Sequence, residues 1–245
     1  MEATGCVAFP FNLYDENIPQ AFYKIQFLEV IKVIYMANKI WIFDLDDTLH
    51  NASVHIFPVM NRAMTQYIMD ALALDEVTAH HLRQHYWHLY GATLKGLMRH
   101  HQTNPQHFLQ ETHRLINLPE MVVQIKQLRH MLNRLYGRKL VFTNAPREYA
   151  LRVLDLLGIA DCFELVFSVE STKFHGKPSV RGFQMLLKTL KAKASDCVML
   201  EDSLPALMTA KRLGMKTIWI SKQLKKPNFI DYRLSGVLAL THLRL

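Results

Sequence analysis

The chain has 245 residues, half of them hydrophobic and a fifth charged, with nine glycines and nine prolines. That composition excludes disorder, collagen-like repeats and low-complexity sequence as its general state, and it suits one α/β domain with an insertion or two small domains. Lysine and arginine exceed aspartate and glutamate by eight, a balance that attracts phosphorylated molecules or simply keeps a protein soluble.

Residues 1–35 differ from the rest. They hold four acids against two lysines, which leaves +10 on residues 36–245, and they stop just before Met36-Ala37-Asn38-Lys39, which reads as a natural chain start. The expectation is an N-terminal extension, or a mis-set start, ahead of a functional unit that begins near Met36. Their most apolar run, residues 25–36, is interrupted by Glu29 and Lys32 and falls short of the roughly 18 residues a membrane span needs. The start lacks the basic residues and small-residue cleavage site of a signal peptide. The three cysteines, Cys6, Cys162 and Cys197, form no Cys-x-x-Cys pair. Neither a zinc site nor a disulfide framework is indicated, and a reducing cytoplasm with no membrane partner is the default.

Residues 39–45 form a short β-rich apolar run that ends in acids and reads as a buried strand. A helical stretch rich in Met, His, Gln and Leu follows over residues 54–116, with breaks at Leu74-Asp75, Gly91 and Asn104-Pro105. Met121, Ile125, Leu128, Leu132 and Leu135 are spaced 4, 3, 4 and 3, which predicts one helix with Gly137 placed to end it. Strands are predicted at residues 139–143, 163–168, 197–201 and 216–220. Helices are predicted around Ala150–Leu157 (closed by Gly158), Phe183–Leu190 and residues 205–213. Strands alternating with helices imply a parallel sheet covered on both faces. The stretch of about 70 residues between the first strand and Pro119 is far too long for a plain crossover. It reads as an inserted helical domain.

Ligands of open α/β sheets bind at the carboxyl ends of the strands. Here those ends carry Asp44-Leu45-Asp46-Asp47-Thr48, then Thr143-Asn144, then Glu201-Asp202-Ser203, while Lys177 sits in a Gly-Lys-Pro loop. Clustered carboxylates repel one another, and a hard divalent cation such as Mg2+ relieves that repulsion. The cation and Lys177 make an anion-binding centre, with Thr143 adding a hydroxyl. Such a centre suits phosphoryl transfer. Asp44 and Asp46 share a face in a regular strand. One can attack phosphorus while the other gives a proton to the leaving oxygen and later activates water. Taken singly, each residue has a plainer reading: Asp47 as a turn or cap residue, Asn144 and Glu201-Asp202 as helix caps, Lys177 as a surface lysine. The ordered set carries the signal.

That order, Asp44-x-Asp46-x-Thr48, Thr143, Lys177 and Glu201-Asp202, resembles the haloacid dehalogenase superfamily of phosphatases over roughly residues 38–222. The resemblance implies a Rossmann-like core of residues 36–52 and 117–245 and a helical cap of residues 53–116. It implies Asp44 as nucleophile and Mg2+ ligand, and Asp46 as general acid/base with its backbone carbonyl on the metal. Thr143 and Lys177 would hold the phosphoryl group, with Asp202 a metal ligand and Glu201 a ligand directly or through water. The dehalogenases lack the second aspartate, so Asp46 argues for a phosphatase.

Tyr90-Gly91-Ala92-Thr93-Leu94-Lys95-Gly96-Leu97, Thr143-Asn144-Ala145-x-Arg147 and Arg152-Val153-Leu154 are similar to stretches of the pyrimidine 5′-nucleotidase-like subgroup, with Ala92 in place of a usual threonine and Glu201 in place of a frequent aspartate. This narrower resemblance implies hydrolysis of nucleoside monophosphates such as UMP and CMP. Thr48, Asn144, Tyr90, Thr93 and Lys95 are the substrate-binding candidates. Gly91 and Gly96 would let a cap loop approach a ligand closely.

Eleven of the 13 histidines lie between His50 and His130, several at helical spacing from His80 to His88. A solvated helix face is favoured over a transition-metal site there, because no carboxylate or cysteine joins them. Met60, Met64 and Met69 are read as cap core. Three rivals to the nucleotidase reading stand open. One is a phosphatase of a sugar phosphate or other small phosphorylated metabolite, and another is a phosphomutase. The third is a nucleotide- or nucleic-acid-binding protein on an inactive scaffold, against which the intact acidic set argues. Oligomeric state is not legible.

Overall fold

The computed structural model describes residues 39–115 and 117–243, so the expected N-terminal extension of residues 1–35 and the proposed start at Met36 lie outside the described residues. The centre of the molecule is a six-stranded sheet, all parallel, in the order β3-β2-β1-β4-β5-β6. Its strands are β1 (Ile40–Phe43), β2 (Arg138–Phe142), β3 (Leu165–Phe167), β4 (Cys197–Glu201), β5 (Lys216–Ile220) and β6 (Tyr232–Leu234).

Side chains of a strand alternate between faces, and the sheet uses both. Trp41, Phe43, Val141, Val198, Leu200, Ile218 and Ile220 enter one hydrophobic cluster. Ile40, Ile42, Leu140, Phe142, Cys197, Met199 and Trp219 enter another. All four residues of β1 are buried, which is why that strand reads as an unbroken apolar run.

Four helices follow β1: α1 (Ala52–Leu72), α2 (Glu76–Tyr90), α3 (Thr93–His101) and α4 (Pro105–Thr112). They are separated at the predicted breaks, Leu74-Asp75, Gly91 and Asn104-Pro105, and two of those breaks supply caps. Asp75 accepts from the Thr78 N–H at 3.0 Å, and Asn104 accepts from the His107 N–H at 3.1 Å ahead of Pro105. Asp47 adopts φ +59° and accepts from the Ser53 N–H at 2.8 Å, so it serves both the turn after β1 and the start of α1. Ile68, Ala79, Tyr86, Leu94, Leu97, Phe108 and Leu109 form the apolar centre of this helical group. The first turns of α1, with Ala52, Ile56 and Met60, pack instead against the sheet.

The single helix predicted from the Met121–Leu135 spacing is in fact two, α5 (Leu118–Met121) and α6 (Leu128–Arg134). Val122-Val123 disfavours helix, and Gln127 takes a left-handed conformation at φ +67° that restarts the chain. The apolar spacing marks burial, since all five residues pack into one cluster. The remaining helices are α7 (Arg147–Leu156), α8 (Val180–Leu190) and α9 (Leu204–Arg212). Strand β6 was not predicted. It is three residues long, and Asp231, just before it, accepts from the Thr217 N–H and from Lys211 Nζ. No helix among the described residues is long and apolar enough to cross a membrane.

Candidate active site

Register brings the acids together. Phe43 lies between Val141 on one side and Leu200 on the other. The next residues, Asp44 and Glu201, therefore emerge side by side from the two central strands, and the Asp44 N–H donates to the Leu200 carbonyl at 2.9 Å. Asp44, Glu201 and Asp202 offer carboxylate oxygens that all lie within 4.8 Å of one another. The Trp219 indole N–H holds the Asp202 carbonyl at 2.8 Å.

Lys177 closes the cluster. Its Nζ lies 2.5 Å from Asp44 Oδ1 and 2.6 Å from Glu201 Oε2, and Lys177, Asp44 and Glu201 are all buried. The lysine is delivered by the loop ahead of α8, and Asn144 clamps that loop. Its amide donates to the Lys177 carbonyl at 2.8 Å, and its Oδ1 accepts from the Lys177 N–H at 2.7 Å. A side chain on Gly176 would collide with Asn144. The side-chain groups of Asn144 are thus committed to Lys177, where the sequence suggested a helix cap or a substrate contact.

One lysine does not balance three carboxylates. Burial lifts the Asp44 carboxyl to about 6, and the charges of Asp202 and Asp46 add to that rise while Lys177 opposes it. Burial and the charge of Asp44 push Glu201 well above the usual carboxylate range, and burial raises Asp202. For Lys177 burial works against the ammonium, but Asp44 and Glu201 outweigh it and hold the group above its ordinary value. The excess negative charge, on oxygen donors only, fits a hard divalent cation such as Mg2+. Asp44, Glu201 and Asp202 are the residues placed to hold it.

Thr143 directly follows β2 and is 1% exposed, with its Oγ accepting from the Ala145 N–H at 3.0 Å. Asp46 lies in the turn after β1 and is outside the close acidic group. Its side chain turns to Tyr149, whose hydroxyl donates to Asp46 Oδ1 at 2.7 Å, and to His50, whose Nε2 lies 2.9 Å from the same atom. Burial and the neighbouring Asp46 raise the Tyr149 phenol, which keeps its proton. Sequence reading missed both partners. The four-residue step from Asp46 to His50 was a usable signal; nothing local links Asp46 to Tyr149, 103 residues away.

The remaining candidates are spread out. Thr48 is 3% exposed, with a hydroxyl that meets no partner among the described residues. The Thr93 hydroxyl donates to the Arg83 carbonyl inside the helical group, and Gly96 lies against the Tyr86 ring. Both are used in packing. The Tyr90 hydroxyl pairs with His100 Nε2 at 2.6 Å. Lys95 is exposed, and its charge reaches His175, two residues before Lys177. Gly91, at φ +77°, is the close approach between this group and the site loop: a Cβ there would lie 2.7 Å from Pro178 Cδ.

Residues 41–220 match the family described as haloacid dehalogenase-like hydrolase. Among curated proteins, the chain is 28% identical over 139 residues to phosphate metabolism protein 8 of Saccharomyces cerevisiae, covering 52% of this chain and 42% of that protein. It is 27% identical over 96 residues to the validoxylamine A 7′-phosphate phosphatase of Streptomyces hygroscopicus subsp. limoneus, covering 39% and 41%. The matched region thus spans about two fifths of the length of these relatives. Solved structures share the fold. CbbY from Rhodobacter sphaeroides in complex with phosphate superposes with TM-score 0.60 at 20% identity, covering 82% of this chain and 96% of that one. A phosphatase of the same superfamily from Thermococcus onnurineus superposes with TM-score 0.58 at 20% identity, covering 83% and 96%.

Proposed function

The chain belongs to the haloacid dehalogenase-like hydrolases, and on that premise we propose that it hydrolyses phosphomonoesters through a phosphoryl-enzyme formed on Asp44. The observation that carries this reading is the placement of Lys177 Nζ between the buried Asp44 and Glu201, with the half-buried Asp202 completing an all-oxygen carboxylate cluster. Both curated relatives carry names tied to phosphate, one of them a phosphatase.

In the first half-reaction an oxygen of Asp44 bonds to phosphorus as the bond from phosphorus to the ester oxygen breaks. Asp46 gives its proton to that departing oxygen. Lys177 and the Thr143 hydroxyl hold phosphoryl oxygens and offset their charge. In the second half-reaction Asp46 takes a proton from water, the water oxygen bonds to phosphorus, and Asp44 is released as carboxylate. The products are the alcohol and inorganic phosphate. Mg2+ held by Asp44, Asp202 and Glu201, with the Asp46 carbonyl, would supply neutralisation of the charge that builds on the phosphoryl group. Residues 53–116 act as a cap that excludes water during the first step.

For the substrate we propose a pyrimidine nucleoside 5′-monophosphate, UMP or CMP, from the resemblance of Tyr90–Leu97 and Thr143–Arg147 to the nucleotidase-like subgroup. On this reading the exposed Lys95 is the cap residue that meets it, with Tyr90 beside it once its hydroxyl leaves His100; Thr93 and Thr48 are buried and Asn144 holds the lysine loop. A second reading, another small phosphorylated metabolite, draws on the relative named for validoxylamine A 7′-phosphate. Phosphate release from UMP, CMP, AMP and several sugar phosphates, with Mg2+ and with EDTA, tests both. Mg2+-dependent release strongest on UMP and CMP is expected. Faster release from sugar phosphates overturns the nucleotide assignment and keeps the chemistry.

A further inference from the structure

Asp46 is gripped at one oxygen. The Tyr149 hydroxyl and the His50 imidazole both converge on Oδ1, at 2.7 and 2.9 Å, and no described residue hydrogen-bonds Oδ2. The turn itself sets up half of this, since the backbone pairs Asp46 with His50 and the Leu49 N–H bonds the Leu45 carbonyl at 2.9 Å. Tyr149 comes from α7, the helix that follows the Thr143 strand end.

Stability is a poor account of these two side chains. His50 is 1% exposed, and its second ring nitrogen, Nδ1, has no hydrogen-bond partner among the described residues. Burying an unsatisfied polar atom costs stability, a cost that an apolar side chain of similar size avoids. Tyr149 is 2% exposed, its hydroxyl goes to Asp46, and its ring is set edge-on by His113 at 5.6 Å between centroids. Burial holds the His113 imidazole down, to about 4, so its face toward Tyr149 is uncharged at neutral pH.

We propose that His50 and Tyr149 are positioning residues of the reaction, which fix the Asp46 carboxyl by Oδ1 and confine its travelling proton to Oδ2. The inference rests on the reading of Asp46 as proton carrier. A carboxyl oxygen has two lone pairs, and with the His50 ring proton assigned to Nε2 an O–H and an N–H donor occupy both at Oδ1. The carried proton therefore sits on Oδ2. In the first half-reaction the Oδ2–H bond breaks, the proton moves to the leaving oxygen and the electron pair stays on Asp46. In the second, a proton from water bonds Oδ2 while the water oxygen bonds phosphorus. Without the two donors the carboxyl can turn about its χ2 and present the wrong oxygen, or none.

The test compares two esters on each enzyme sample. UMP has a poorly leaving alkoxide and needs the proton; p-nitrophenyl phosphate has a leaving group that departs without one. The quantity read is kcat/KM, which covers the steps up to phosphorylation of the enzyme. Tyr149→Phe and His50→Gln are each expected to lower kcat/KM for UMP on the order of tenfold to a hundredfold and to leave the aryl ester nearly unchanged. Asp46→Asn should show the same selectivity, more strongly. The ratio of the two esters cancels any inactive fraction, so a partly unfolded variant still gives an answer. If Asp46→Asn is selective while Tyr149→Phe and His50→Gln slow both esters alike, the positioning role is overturned. If Asp46→Asn itself slows both alike, the reading of Asp46 fails and this inference falls with it.

Discussion

At the scale of single residues, the site is defined by a charge imbalance. Asp44, Glu201 and Asp202 crowd one buried lysine, so removing a carboxylate and removing the lysine have opposite consequences. Asp44→Asn deletes surplus negative charge. Because burial lifts the Asp44 carboxyl to about 6, above its ordinary 3.8, the folded protein binds that proton more readily than the unfolded chain. This group therefore lowers stability at pH 7, and the loss is recovered as pH falls through 6 toward 4. In EDTA at pH 7, Asp44→Asn should melt higher than the parent while losing turnover. Lys177→Ala leaves the carboxylates uncompensated and should cost about 3–5 kcal/mol in urea unfolding. A Lys177→Ala protein as stable as the parent would show that Lys177 does not balance the buried acids.

At the scale of elements, the contact between Gly91, at the end of α2, and Pro178 ties the helical group to the lysine loop. Gly91→Ala forces a Cβ into a left-handed backbone position and to within 2.7 Å of Pro178 Cδ. The conformational penalty alone is about 1–2 kcal/mol. The expected outcome is a lower melting temperature together with a drop in kcat/KM, because the strain is applied one residue from Lys177. An unchanged kcat/KM would mean that the loop absorbs the intrusion without moving the lysine. Elements with strong local signals were legible in the sequence. The breaks at Leu74-Asp75, Gly91 and Asn104-Pro105, which separate α1, α2, α3 and α4, and the first five strands all follow from composition and spacing. The α5–α6 pair was not, because its apolar spacing reports packing while Gln127 decides the backbone. Strand β6, Tyr232–Leu234, is too short to carry a periodic pattern and depends on the pairing of Ile218 with Tyr232.

At the scale of the whole molecule, two apolar layers on either side of a parallel sheet bring three strand ends into register. This is why a site spread from Asp44 to Asp202 was readable from short motifs. Asp44-x-Asp46 and Glu201-Asp202 each sit where a buried strand stops, and a strand end is visible in sequence. Partnerships across the fold were not readable. Asn144 with Lys177 and Asp46 with Tyr149 join residues 33 and 103 apart, and no local pattern encodes them. The central claim is that Asp44 becomes phosphorylated during turnover. The most direct measurement is acid quenching of the protein while it hydrolyses a phosphomonoester with Mg2+ present, followed by mass analysis of its peptides. A phosphoryl group on Asp44, absent from Asp44→Asn, is the predicted result. Continued phosphate release with no phosphoryl group on the protein, or with one on a different residue, would contradict the account.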